Sequence, residues 1–149
     1  MTESLAMSGK ASAASMAAMY QDALLAHHRA PHNRREMGDA TASAVHKNPV
    51  CGDEIRVMVR VDGDELVDVS FTGRGCSIAT ASASMMTDAT VGQSVGDAVA
   101  LAEQVERMLT GADGALPDGL APLRGVAPFA GRHGCARMPW QALREALST

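Results

Sequence analysis

"IRVMVRVDGDELVDVSFT", residues 55–72, decides the fold. In its first half Ile55, Val57, Val59 and Val61 alternate with Arg56, Met58 and Arg60. In its second half Val67, Val69 and Phe71 share one face. Alternation places successive side chains on opposite sides of a strand, and an Asp62-Gly63 turn between two such runs predicts a β-hairpin. The apolar face of that hairpin needs a cover, which the flanking sequence must supply.

On the N-terminal side, "TASAVHK" (residues 41–47) predicts a further, shorter strand. Before it, Met16, Met19, Tyr20, Ala23, Leu24 and His27 follow helical spacing from Ser15, and Pro31 closes that helix. His27 is read as packing at the edge of the core. Residues 1–14 are mostly Ser, Ala and Gly with little pattern and are read as a flexible tail ahead of one domain, residues 15–149. On the C-terminal side, "IATASASMMTDAT" reads as a buried helix. Ser94, with Asp97 three residues on, caps another helix whose stripe is Val95, Ala98, Val99, Ala102, Val105 and Leu109. Glu103 and Arg107 are spaced as an i,i+4 ion pair outside that stripe, and Gly111 ends it. Residues 111–125 read as a loop with one short turn of helix, and a last helix runs through "WQALREALST". The expected class is α+β: a small antiparallel sheet of about three strands packed against helices.

Composition narrows the function. Apolar residues make up 46% of the 149 residues and aromatics only 3%, so Val, Leu, Ala and Met must fill the core. The net charge of −4 argues against a general nucleic-acid binder, which carries a basic excess. No apolar run spans a bilayer, and "MTESLAMSGKASAASMAA" lacks the basic start and continuous apolar stretch of a signal peptide. The expectation is a cytoplasmic protein with neither a membrane nor a nucleic acid as partner.

Three cysteines are awkward for a disulfide framework; in a reducing compartment such thiols are buried hydrophobes, nucleophiles or metal ligands. Cys51 precedes the first hairpin strand, two residues before Asp53, in "NPVCGDEI". That pair reads either as a tight turn with a buried thiol or as half of a metal site. Cys76 follows Gly73 and Gly75 at the start of a helix, and Cys135 follows "GRHG" just before another. A helix N-terminus carries partial positive charge and stabilises a thiolate. The intervals between the cysteines match no CxxC motif. Cys51, Asp53, Cys76 and Cys135 would nonetheless make a coherent tetrahedral zinc set. Such a set would carry a formal charge of about −2, so Arg74, Arg132 and Arg137 are candidate neutralising cations. His133 is an alternative ligand, and Pro139 is expected to delay the last helix.

"NPVCGDEI", "DGDELVDVSFTGRGCSIATASASMMTDA" and "GRHGCARMPWQAL" resemble the U-type iron–sulfur cluster assembly family, which includes IscU, SufU and the N-terminal domain of NifU. The likeness runs from about Met19 to Leu143 and is nearest to SufU, whose pattern the long segment from Gly92 to Gly125 resembles. The resemblance implies a site of Cys51, Asp53, Cys76 and Cys135 at one end of the molecule. It implies zinc or a transient iron–sulfur cluster as occupant. It implies a SufS-like cysteine desulfurase as partner, with downstream iron–sulfur assembly or acceptor proteins. Two activities follow from it. One is a zinc-dependent sulfurtransferase with Cys51 as persulfide acceptor and Arg132 in support. The other is a non-enzymatic scaffold for a [2Fe–2S] cluster. The glycines beside the three cysteines, Gly52, Gly75 and Gly134, are read as leaving the site open.

Overall fold

The computed structural model describes residues 17–50, 52–112 and 114–148. The expected tail, residues 1–14, lies outside them, as does Cys51. Helix α1 occupies residues 17–29. Strands β1 (Ala42–Asn48), β2 (Asp53–Asp62) and β3 (Glu65–Arg74) follow, then α2 (Ser77–Thr90), α3 (Val95–Leu109) and α4 (His133–Leu147). Two 3₁₀ helices, Asp118–Val126 and Ala130–Arg132, lie between α3 and α4.

The sheet is antiparallel with order β1-β2-β3. Gly63 and Asp64 connect Asp62 to its partner Glu65, the hairpin expected from the alternation. The register shifts between Arg60 and Val61: Arg60 faces Asp68, and Val61 faces Leu66. Val67 is the extra residue of a bulge. Leu66 is therefore fully buried while Val67 is half-exposed, which corrects the assignment of Val67 to the core face.

Ile55, Val57, Val59, Leu66, Val69 and Phe71 point into the core. Helix α4 crosses β1 and β2, and α2 and α3 pack against α4. Trp140 is fully buried in the middle of α4. Its Nε1–H donates to Ser82 Oγ on α2 (3.1 Å), and Ser82 donates in turn to the Ala136 carbonyl (2.6 Å). Both polar groups of that buried pair are thereby satisfied.

The second face of the sheet is covered too, which alternation alone did not foresee. Asn33 and Arg35 pair with the free edge of β3 through Phe71, and Thr41 N–H donates to the Val59 carbonyl. Between those points the chain crosses the sheet. Glu36 meets Arg56 (3.9 Å) and Asp39 meets Arg60 (3.3 Å). Met58, on this side, is buried, and so is Met37 in the crossing segment.

Three further expectations need correction or extension. Glu103 reaches Arg144 of α4 (3.7 Å), which also bonds Glu106 (2.6 Å), instead of pairing with Arg107. The loop after Gly111 contains nine residues of 3₁₀ helix, Asp118–Val126. Its three-residue period buries Leu120, Leu123 and Val126. Finally, α4 begins at His133, ahead of Cys135, and Pro139 sits inside it without delaying its start.

Candidate functional site

Three of the four anticipated site residues meet at the ends of different elements. Asp53 is the first residue of β2, Cys76 is the N-cap of α2, and Cys135 lies in the first turn of α4. One donor atom from each falls within 4.8 Å of the others. Cys51 lies outside the described residues.

The hairpin register explains how Asp53 comes to Cys76. Glu54 pairs with Arg74, so the start of β2 lies beside the end of β3, two residues before the α2 N-cap. Asp53 Oδ2 accepts the Cys76 backbone N–H at 2.9 Å. This fixes one carboxylate oxygen and brings negative charge to the positive end of α2. The first helical bond, from Thr80 N–H to the Cys76 carbonyl, is 3.0 Å. Cys135 arrives from the far end of the sequence because α4 packs on β1 and β2. It is buried, whereas Cys76 and Asp53 are half-buried.

Two glycines make this closeness possible. Gly73 has φ +125°, and a Cβ there would lie 2.1 Å from the Glu54 carbonyl oxygen. At Gly75 a Cβ would lie 2.9 Å from the Ala79 Cβ and 3.2 Å from Ile55 Cδ1. Gly75 thus serves close packing, which corrects its reading as an opening onto the site. Open space exists at Gly52, where no described atom lies within 4 Å of a Cβ.

Asn48 is a positioning residue that the sequence reading did not single out. Its side-chain carbonyl accepts Val50 N–H (3.0 Å), and its backbone carbonyl accepts Gly52 N–H (2.8 Å). The Asn-Pro pair is the local signal for this Asx turn. Val50 projects into solvent at 94% exposure.

His133 does not join the cluster; its Nε2–H donates to the Ala127 carbonyl at 2.7 Å. Arg132 is exposed and lines a cavity of about 500 Å³ with Ser77 and Ile78 at the start of α2 and the exposed Phe129. Arg74 is exposed at the end of β3. Arg137 is half-buried, and among the described residues its buried Nε has no hydrogen-bond partner.

The chain matches the NifU-like N-terminal domain over residues 19–148. It belongs to that family. Its relatives include the protein named iron–sulfur cluster assembly scaffold protein IscU from Streptococcus pyogenes serotype M1, 38% identical over 87% of this chain and 82% of the relative. The zinc-dependent sulfurtransferase SufU of Bacillus subtilis is 34% identical over 91% of this chain and 93% of that one. Among solved structures, the crystal structure described as a SUF-system scaffold protein from Fervidobacterium islandicum superposes with a TM-score of 0.79. It is 27% identical and is covered over 93% of its length, against 84% of this chain. In this NifU-like domain the sheet and α4 act as a frame that brings two strand ends and two helix starts to one place. The α+β class expected from the sequence is the one observed. No helix among the described residues is long and apolar enough to cross a membrane.

Proposed function

We propose that this chain serves iron–sulfur cluster assembly as a zinc-dependent sulfur acceptor of the SufU type, taking persulfide sulfur from a SufS-like cysteine desulfurase. The observation that supports it is the convergence of Asp53, Cys76 and Cys135, widely separated in sequence, to within 4.8 Å. Two thiols and a carboxylate fit zinc as a donor set, and Cys51, two residues before Asp53, is the proposed fourth ligand. Bound zinc would keep the thiols deprotonated at neutral pH and link the site to stability.

The chain's own residues divide the work. Cys76 and Cys135 are held in helix ends, where backbone movement disturbs a whole element. Cys51 sits in the chain between Pro49 and Gly52, and is the proposed acceptor. Its thiolate attacks the outer sulfur of the desulfurase persulfide, the sulfur–sulfur bond of the desulfurase breaks, and its cysteine leaves as a thiolate. The product is a persulfide on Cys51, one sulfur heavier, with no net redox change. Arg132 is assigned to hold the negative charge brought by the incoming persulfide. Val50, exposed beside Cys51 in the sequence, offers an apolar contact to the partner.

The test is mass spectrometry after incubation with desulfurase and cysteine. The expected result is an addition of about 32 Da on Cys51, absent in Cys51→Ala. Sulfur found only on Cys76 or Cys135 refutes the mechanism. A second reading draws on the likeness to the streptococcal protein named as an IscU scaffold. In it the same residues hold a [2Fe–2S] cluster as cargo for downstream acceptor proteins. Anaerobic purification separates the two, since a cluster-bearing chain is brown and a zinc chain colourless.

A further inference from the structure

A second group of ligand-type side chains lies away from the cysteines. His27 is in the last turn of α1, His32 follows Pro31, and Asp88 is in the last turn of α2. One donor atom from each lies within 4.8 Å of the others. The two rings are 4.8 Å apart between centroids, and His32 Nδ1 touches Asp88 Oδ2 at 2.5 Å. We propose that His27, His32 and Asp88 form a second metal site, independent of the cysteine cluster, for a borderline divalent transition-metal ion such as Zn²⁺.

The donor chemistry selects the ion. Two imidazoles and one carboxylate suit zinc, cobalt or nickel, whereas calcium and magnesium demand oxygen ligands. The set is supported from behind. Ser84 Oγ holds His27 Nδ1 at 2.7 Å and also accepts the His32 backbone N–H at 2.8 Å. Ser84 thereby orients the His27 ring, as outer hydrogen bonds orient a ligating side chain. Asn33 Nδ2 bonds Thr87 Oγ1 (3.0 Å) and lies 3.4 Å from Asp88 Oδ1, which steadies the carboxylate.

The fit needs only a small movement. Donors about 2.0–2.2 Å from a tetrahedral zinc lie roughly 3.3–3.6 Å from one another. The His32–Asp88 contact must open by about 1 Å to admit the ion. Both side chains can do so, since they are 53% and 46% exposed. That exposure leaves an entry path and room for water to complete the coordination. The site also lies at the C-terminal end of α2, whose dipole favours a cation. A bound ion would pin the end of α1 to the end of α2.

Cadmium NMR on the full chain tests this, because thiolate-bound and nitrogen/oxygen-bound cadmium resonate in separate regions. With two equivalents of Cd²⁺, one resonance is expected in the nitrogen/oxygen region, with shifts of the His27 and His32 ring nitrogens. His32→Gln and Asp88→Asn should each weaken that binding at least tenfold and leave any thiolate-bound signal in place. Absence of the nitrogen/oxygen resonance, or its persistence in the double variant, overturns the proposal. The ring-nitrogen shifts in the unsubstituted chain decide the matter if a variant fails to fold. Neither outcome depends on what the cysteines bind.

Discussion

The two ends of α2 carry opposite chemistry. At the N-terminal end, Cys76 is joined by Asp53 and Cys135, groups that bear negative charge when ionised. At the C-terminal end, Asp88 and Ser84 are joined by His27 and His32. The helix dipole favours anions at the start and the histidines, or a bound cation, at the end, where the Asp88 carboxylate runs against it. The ends also differ in construction. The first is built by backbone: a strand register, a helix cap and two glycines that let chain lie on chain. The second is built by side chains, half of them in water. A site of the first kind is rigid and fails when the backbone is disturbed; one of the second adjusts and responds to pH.

The largest expected effect tests the backbone end. Gly73→Ala combines a left-handed φ with a Cβ 2.1 Å from the Glu54 oxygen. Denaturant unfolding should show a loss of about 3 kcal/mol or more. A loss below about 1 kcal/mol would show that β2 and β3 can separate at this point without penalty, and the contrast between the ends would fall. Next comes the middle of the helix. Ser82→Ala removes the acceptor of the buried Trp140 N–H and should cost about 1–3 kcal/mol, with Ser82→Thr, if it packs, recovering part of it. Asp53→Ala, at the N-terminal end, removes the acceptor of Cys76 N–H and should cost about 1 kcal/mol in metal-free protein. Under the proposed function this variant keeps its zinc on three thiolates but exchanges it faster, as a chelator competition would show.

The smallest effect belongs to the side-chain end. The folded chain holds the His27 imidazole below its ordinary value of 6.5. Below that value the unfolded chain binds more protons than the folded one, so stability from this group is present above 6.5 and lost as pH falls through the folded pKa. The midpoint of thermal unfolding should decline across this window, and His27→Gln should flatten the decline. An equal decline in the variant would assign it to other groups.

What the sequence made legible was whatever depends on local pattern. Alternation over residues 55–72 located the hairpin, and Ser94 with Asp97 located a helix cap whose Oγ accepts Asp97 N–H at 3.1 Å. Ligand chemistry and the motif resemblance both singled out Asp53, Cys76 and Cys135, whose donor atoms lie within 4.8 Å of one another. What stayed hidden depends on contacts between distant segments. The bulge at Val67 is a property of pairing with β2 and leaves no local mark beyond two adjacent apolar residues, Leu66 and Val67. Met58 alternates onto the face opposite Ile55 and Val57, and nothing nearby announces that residues 33–41 cross above it. The start of α4 was misplaced because Pro139 was weighed by intrinsic preference, whereas packing carries the helix through it. The histidine group escaped because Asp88 lies far along the chain from His27 and His32. Its one signal was three histidines in "HHRAPHN" ahead of a buried helix ending in Asp88 and two residues more.

The order in which the chain leaves the ribosome adds a consequence to the placement of Cys135. Asp53 and Cys76 belong to a hairpin and the helix cap next to it, and so are available to each other early in synthesis. Cys135 lies in α4, much further along the chain, and emerges after both of them. Until α4 has emerged and packed on the sheet, a nascent chain therefore carries Asp53 and Cys76 without Cys135. Under the proposed function, loading with metal is in this way tied to the arrival of α4, and a product truncated before it is left without one of the proposed ligands.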